Sequence, residues 1–153
     1  MKFNVSMFEM PVIKDGMRII NASAFWKQEN VIKSGIANEK GVYFFCIKRG
    51  NKYMPYYVGK ASRQNFKTET TNTGNLRKYE QCINKTSGKA FMGFMAIKST
   101  KKTETDESLD NLIDSWETLF ILITGLTNEN LKNKSKTSCN DKNKILLKQI
   151  LNI

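Results

Sequence analysis

The chain has 153 residues, which is the length of one domain and is enough to bury a hydrophobic core. It carries 25 Lys and Arg against 14 Asp and Glu, and the resulting net charge of +11 is typical of nucleic-acid-binding proteins, although many basic proteins bind no specific anion. The three cysteines, Cys46, Cys82 and Cys139, lie far apart and there is no His, which argues against a disulfide framework and against a structural zinc site. No run of about 18 apolar residues occurs, so we expect a soluble protein of the reducing cytoplasm without membrane contact.

Residues 1–20 mix apolar and polar side chains and are interrupted by Pro11, which predicts a short strand or a segment lying on the core. Asn21 and Ser23 are possible N-caps of a helix over about residues 22–33, and Gly35 is a plausible end for that helix. We expect this region to contribute packing.

Two apolar runs, residues 42–47 and 53–58, flank a polar break that contains Gly50 and Asn51. Apolar runs around such a break predict a β-hairpin. Pro55 cannot donate to a ladder, so the second strand is an edge strand, is bulged there, or begins only at Tyr56. Apolar side chains fall on both faces of the first strand, which predicts a sheet covered by helices on both sides.

Residues 62–74 are polar and rich in Thr and Asn, and they predict a loop. A helix is predicted over about residues 75–84. Its buried stripe comprises Leu76, Tyr79 and Ile83. Arg77 and Gln81 share a different face of this helix, because they are four residues apart.

Residues 90–97 are apolar on both faces, which predicts a third strand well inside the sheet. After a charged loop over residues 99–105, the clearest helix of the chain begins with acidic residues that suit its dipole, and Gly125 is predicted to end it. Residues 128–140 predict a loop, and Asp141 can cap a last amphipathic helix.

These elements predict an α+β fold, with a small antiparallel sheet of about three core strands flanked by helices. We expect a single domain over residues 1–153. Its core spans about residues 40–134, with helical extensions at the N-terminal and C-terminal ends.

The hairpin carries Gly41-Val42-Tyr43 in its first strand and Tyr57-Val58-Gly59 in its second, and this pair resembles the signature of the GIY-YIG nuclease family. In that family the hairpin is followed by a helix with an arginine, a third strand, a helix with a glutamate and a later asparagine. The chain offers Arg77, Glu117 and either Asn133 or Asn128 in that order, over about residues 40–134. Asn133 is favoured, because residues 128–134 look like the Asn-Pro…Asn-Lys ending of the family.

The chain departs from the family pattern in three places. The connection from Tyr43 to Tyr57 is slightly long, and so is the polar segment before Arg77. The family's histidine, usually one turn after the arginine, is missing. Gln81 stands at that position, and Tyr79 is the other residue that could fill the vacancy, as a helix tyrosine does in some restriction endonucleases of the family.

The resemblance implies a metal-dependent DNA endonuclease, of the restriction or mobile-element type among others, that hydrolyses phosphodiesters by in-line attack of water. Glu117 would hold Mg²⁺ or Mn²⁺, because such ions need few protein ligands and keep several waters. Arg77 would stabilise charge on the transition state, and Tyr43 would be the candidate base. The remaining implied site residues are Tyr57, Lys60, Tyr79 and Asn133.

Each of these residues also has an ordinary structural interpretation. Glu117 borders an apolar stripe and can be a partly solvated flank residue, Arg77 can be a solvated charge, and the tyrosines are core aromatics by composition. The rival function is therefore a nucleic-acid-binding module that kept the fold and lost the chemistry. A basic protein with an accidental motif is weaker, since four elements would have to coincide in order.

DNA is the expected partner, and RNA is not excluded. The basic residues expected to contact it are Lys60, Arg63, Arg77, Lys78, Lys132 and Lys134. Either a monomer or a homodimer is compatible with the sequence.

Overall fold

The computed structural model describes residues 4–98 and 105–132 and has the predicted α+β architecture. The strands are β1 (Ser6–Glu9), β2 (Val12–Asp15), β3 (Met17–Ile20), β4 (Gly41–Arg49), β5 (Lys52–Ala61) and β6 (Lys89–Ala96). The helices are α1 (Ala22–Trp26), α2 (Glu29–Ser34), α3 (Phe66–Thr70), α4 (Thr73–Lys85) and α5 (Asp106–Thr127), with a 3₁₀ turn at Ile36–Asn38.

The main sheet is antiparallel and has the strand order β1-β6-β4-β5. The three predicted strands are β4, β5 and β6, and β6 lies inside the sheet as expected. The fourth strand, β1, comes from the N-terminal segment for which a strand and a core-lying segment were both open, so the sheet begins well before residue 40. Strands β2 and β3 pair with each other in a separate two-stranded sheet.

Two of the three predictions for the strand at Pro55, an edge position and a bulge, are both confirmed. Strand β5 is at the edge of the sheet, and the register with β4 shifts between the pairs Phe45↔Tyr57 and Cys46↔Pro55, so that Tyr56 is the extra residue of a bulge. The third prediction is wrong, because the strand already begins at Lys52.

The two faces of β4 feed two separate hydrophobic clusters, which confirms that the sheet is covered on both sides. Tyr43, Phe45 and Ile47 pack with residues of the N-terminal segment and of α3 and α4. Val42, Phe44 and Cys46 pack against α5, where Phe44 meets the ring of Phe120 edge-on at 5.1 Å between centroids. The helix α5 therefore lies alone on one face of the sheet among the described elements.

Three predicted boundaries were wrong, each for a local reason. The helix over residues 22–33 is two helices, because α1 ends at Trp26 and α2 begins at Glu29; Asn21 does cap the first and Gly35, at φ 70°, ends the second. Helix α4 begins earlier than predicted, since the side chain of Asn72 accepts a hydrogen bond from the backbone N–H of Asn75.

Helix α5 continues two residues past Gly125 and ends at Thr127. A glycine near a helix end is a common stop signal, but here Asn128 follows with its backbone N–H still bonded to Thr124.

The segment over residues 62–74 is not a simple loop. It contains α3, and the Phe66 and Thr70 side chains are fully buried. The Phe66 ring meets Phe94 at 4.9 Å between centroids, so this segment belongs to the core. Replacing residues 62–74 with a short Gly/Ser turn would therefore remove part of the core.

Several predictions fall on residues outside the described ranges. These are the charged loop over residues 99–104, Asn133, Lys134, the loop that follows and the helix capped by Asp141. Within residues 4–98 and 105–132, no helix combines the length and apolar character that a membrane crossing requires.

Candidate functional site

A polar cleft of about 340 Å³ opens beside the edge strand β5. The residues that line it are Tyr43, Tyr57, Lys60, Ser62, Arg63, Glu69 and Glu117. They come from β4, β5, the segment after β5, α3 and α5. The cleft thus brings together four of the sequence-predicted site residues, Tyr43, Tyr57, Lys60 and Glu117, together with Arg63, which was predicted to contact nucleic acid.

The two motif tyrosines meet because β4 and β5 are paired in register. Tyr43 stands opposite Gly59, and the rings of Tyr43 and Tyr57 lie 6.1 Å apart between centroids. A Cβ on Gly59 would collide with the Tyr43 ring and hydroxyl. The second glycine of the motif therefore makes room for the tyrosine of its first half.

The Tyr43 hydroxyl is held from α4. Asn75 Nδ2 donates to Tyr43 Oη at 3.0 Å and to the backbone oxygen of Glu69 at 2.9 Å. Asn75 is buried, with 5% of its surface exposed. This contact could not be anticipated from the sequence, because Asn75 was identified only as the first residue of a helix.

Burial makes the tyrosines poor acids in this state. Desolvation raises the pKa of Tyr43 far above its ordinary value, and the neighbouring Tyr79, Tyr57 and Glu69 raise it further. Desolvation also raises the pKa of Tyr57, against a hydrogen-bond interaction with Tyr43 that lowers it. Both phenols are therefore protonated at neutral pH, and the predicted base role of Tyr43 would require a bound cation or substrate to stabilise the phenolate.

Glu117 is far more buried than its position beside the apolar stripe of α5 predicts, with 3% of its surface exposed. Lys60 Nζ lies 3.9 Å from Glu117 Oε2 and also forms an ion pair with Asp114, one turn earlier on α5. Lys60 can face α5 because it pairs with Val42, whose side chain belongs to the α5 cluster. Glu117 is therefore not the partly solvated flank residue that the periodicity of α5 predicts.

The structure places Arg63, and not the predicted catalytic Arg77, beside the motif tyrosines. Both arginines are exposed, but Arg63 lines the cleft and Arg77 is not among the lining residues. Arg77 is two residues from both Asn75 and Tyr79, which are buried, and two residues correspond to about 200° around a helix. Arg77 therefore points away from the tyrosines.

The two residues considered in place of the missing histidine do not line the cleft either. Tyr79 is fully buried and stacks on Phe45 at 4.5 Å between ring centroids. Its hydroxyl makes no hydrogen bond within the described part of the chain. Gln81 is exposed, and its side-chain oxygen accepts from Lys132 Nζ at 3.4 Å.

Lys78 is the cation of α4 that approaches the motif. Its Nζ lies 4.8 Å from the centroid of the Tyr57 ring and 3.5 Å from Asn75 Oδ1. With Lys60 and Arg63 it adds a third positive charge around the tyrosines.

Asn128 has a structural role. Its Nδ2 donates to the backbone oxygen of Pro55 at 2.7 Å, and the backbone N–H of Lys132 donates to Tyr56 at 2.8 Å. These two bonds tie the chain after α5 to the bulge of β5. Asn133, the favoured asparagine, lies just outside the described residues.

The cleft offers a hard divalent cation two carboxylate ligands, those of Glu69 and Glu117. Glu117 supplies a buried carboxylate and Glu69 a second one in the same cleft, and oxygen donors are what Mg²⁺ prefers. Among the described residues, no group of three or more Cys, Asp or Glu side chains forms a metal cage. Mg²⁺ retains several waters, so one or two carboxylates are compatible with it.

Sequence reasoning missed Ser62, Glu69 and Asn75 as neighbours of the motif. The loop prediction over residues 62–74 concealed α3, which carries Glu69, and the cap at Asn72, which places Asn75. The repeated Asn-x-x pattern at Asn65 and Asn72, two caps that each accept from the residue three positions on, was the available signal.

Comparisons of the chain with protein-family models, with curated proteins and with solved structures found no match.

Proposed function

We propose that the protein is a metal-dependent DNA endonuclease whose active site is the cleft beside β5. The observation that supports the proposal is that one cleft is lined by Arg63 and by four residues of the GIY-YIG resemblance from three elements, namely Tyr43 of β4, Tyr57 and Lys60 of β5, and Glu117 of α5. The basic residues Lys60, Arg63 and Lys78 around it supply the positive charge that a phosphodiester needs.

Each side chain has a chemical task in this proposal. Arg63 binds a phosphate oxygen with its guanidinium, which cannot lose its proton, and takes the part that the resemblance gave to Arg77. The protonated hydroxyls of Tyr43 and Tyr57 donate to a phosphate oxygen, and the proton that the attacking water loses passes to solvent. Glu117 would hold the cation, which when bound polarises the phosphate. Lys60 neutralises the Glu117 and Asp114 carboxylates until substrate enters.

The tyrosine environment is the one observation that favours the rival function. Burial raises the pKa of Tyr43, Tyr57 and Tyr79, so all three hydroxyls stay protonated at neutral pH. No histidine stands beside them to act as a base instead. A site with no ready base is what a nucleic-acid-binding module without catalysis would keep.

One experiment separates the two functions. Purified protein is incubated with supercoiled plasmid in Mg²⁺, in Mn²⁺ and in EDTA, beside the Glu117→Gln variant, and the same samples are run in a gel-shift assay. Nicking that needs the divalent ion and disappears in the variant supports the endonuclease. A gel shift without nicking in any condition supports the binding module, and nicking that persists in the variant contradicts the assignment of Glu117. A structured RNA in a parallel series tests the choice of DNA.

The proposal also assigns the protein to the reducing cytoplasm. Cys46 and Cys82 are buried free thiols, which is the state that such a compartment maintains.

A further inference from the structure

The direction of the hydrogen bond between Asn75 and Tyr43 can be deduced from the third group that they share. Asn75 Nδ2 contacts both Tyr43 Oη and the backbone oxygen of Glu69. A backbone carbonyl oxygen only accepts, so the nitrogen of the amide must face it. That nitrogen carries two hydrogens, and Glu69 takes one while Tyr43 takes the other. The Tyr43 oxygen is therefore an acceptor toward α4, and its own proton points elsewhere.

Both partners are fixed in place. The backbone N–H of Asn75 donates to the capping side chain of Asn72 at 2.9 Å, at the first turn of α4. The Tyr43 ring lies over Gly59, contacts Tyr57, and meets Phe66 edge-on at 6.4 Å between centroids. Only 1% of Tyr43 and 5% of Asn75 are exposed, so water does not compete for this contact.

We propose that Asn75 is a positioning residue that turns the Tyr43 hydroxyl so that its proton faces Tyr57, on the wall of the cleft. This inference deepens the proposed nuclease function, and its catalytic consequence rests on that function. A Tyr57 hydroxyl that accepts from Tyr43 keeps its own proton available for a phosphate oxygen in the cleft. Without Asn75, the Tyr43 hydroxyl loses the donor that sets its rotation, and its proton is no longer directed to Tyr57.

The chain offers a matched control in Asn84, on the same helix. Asn84 Nδ2 donates to two backbone oxygens, those of Arg18 at 2.8 Å and Glu80 at 2.9 Å, just as Asn75 Nδ2 donates to two oxygens. Asn84→Ala therefore removes a comparable amount of hydrogen bonding from α4 without changing Asn75 or its cap. Asn75→Asp is the second test variant, because it preserves the size of the side chain and removes both hydrogens.

The experiment combines a spectroscopic and a kinetic readout. Tyrosine labelled with ¹³C at Cζ gives five resonances, one for each tyrosine, and Tyr43→Phe assigns the one of interest. We expect Asn75→Ala and Asn75→Asp to shift the Tyr43 resonance, and Asn84→Ala to leave it unchanged. On plasmid DNA with Mg²⁺, we expect Asn75→Ala to lower kcat roughly tenfold at constant KM, the scale of one lost hydrogen bond in the transition state.

The outcomes distinguish the two proposals. A Tyr43 resonance that is the same in Asn75→Ala as in the parent overturns the positioning role, whatever the activity. A shifted resonance with kcat unchanged overturns its catalytic consequence. A parent that cuts neither DNA nor RNA refutes the nuclease function, while the resonance shift would still support the assignment of the Tyr43 hydroxyl to Asn75.

Discussion

Gly59 and Tyr43 face each other across the β4–β5 hairpin so closely that a Cβ on Gly59 would lie 2.5 Å from Tyr43 Oη and closer still to Cζ. The backbone of Gly59 does not have a left-handed φ, so the glycine is required by space and not by conformation. Tyr57 and Gly59, the first and last residues of the Tyr-Val-Gly segment, thus have different roles. Tyr57 lines the cleft, and Gly59 makes room for Tyr43.

Replacing Gly59 with alanine should therefore destabilise the protein, because the methyl group overlaps the Tyr43 ring, of which only 1% is exposed. We expect a loss of about 1–3 kcal/mol in the free energy of unfolding, measured by urea denaturation. Gly74→Ala is the control: its nearest neighbour would be Asn72 Oδ1 at 3.5 Å, an ordinary contact, and alanine favours a helix. Equal stability of the two variants would show that Tyr43 does not occupy this position in solution.

The fold was largely predictable because its elements are local. The local pattern of apolar residues predicts the hairpin, β6, α4 and α5. Both faces of β4 are apolar in the sequence, and both are buried in the structure. The N-terminal strand β1 was not decidable, because four residues at a sheet edge carry too little pattern without their partner β6.

The cleft was predictable only in part, because its residues meet through tertiary packing. Glu117 was recognised by its resemblance, but its burial depends on β5 lying against α5, which no local pattern gives. Arg77 was selected by its order along the chain. It points away from the cleft because Tyr79, two residues later on α4, is buried. Arg63 reaches the cleft because the chain turns immediately after β5.

Cys46 offers a test of the packing between β4 and α5. Burial raises the pKa of the Cys46 thiol to about 12, so at pH 8 only about one molecule in 10⁴ carries the reactive thiolate. We expect the Cys46 peptide to resist iodoacetamide at pH 8 in the native protein, and to become alkylated only as the pH approaches 12 or the protein unfolds. Peptide mass spectrometry, with a sample in guanidinium as the control, measures this. Rapid native labelling would mean that α5 does not cover this face.

Arg63, which lines the cleft, and Arg77, which the family resemblance selects, can be compared directly by mutation. Arg63→Ala and Arg77→Ala remove the same charge, so each should reduce the salt dependence of DNA binding by a similar amount if each contacts a phosphate. We expect Arg63→Ala to lower the rate of plasmid cleavage by roughly 10²-fold, the cost of losing one electrostatic donor, and Arg77→Ala to have a much smaller effect. The reverse order would mean that α4 moves when substrate binds.

Glu117 can be tested by a binding readout that does not depend on turnover. If Glu117 holds the cation, Mg²⁺ should raise the Tm of the parent, since a ligand at 100 times its Kd stabilises the folded state by about 2.7 kcal/mol. Glu117→Gln keeps the shape of the buried side chain and removes its charge, so the Mg²⁺-dependent rise should disappear together with cleavage. Without metal, the variant should remain within about 1 kcal/mol of the parent, because Lys60 is partly exposed and keeps its ion pair with Asp114.

Asp114→Asn is the matched control for Glu117→Gln, because it removes the other carboxylate that Lys60 contacts, one turn away on the same helix. In differential scanning fluorimetry across a Mg²⁺ series, we expect Asp114→Asn to keep the metal-dependent rise in Tm that Glu117→Gln loses. If both variants lose the rise, the cation needs both carboxylates. If neither loses it, the ion binds elsewhere, and the cleft beside β5 is not the metal site of a nuclease.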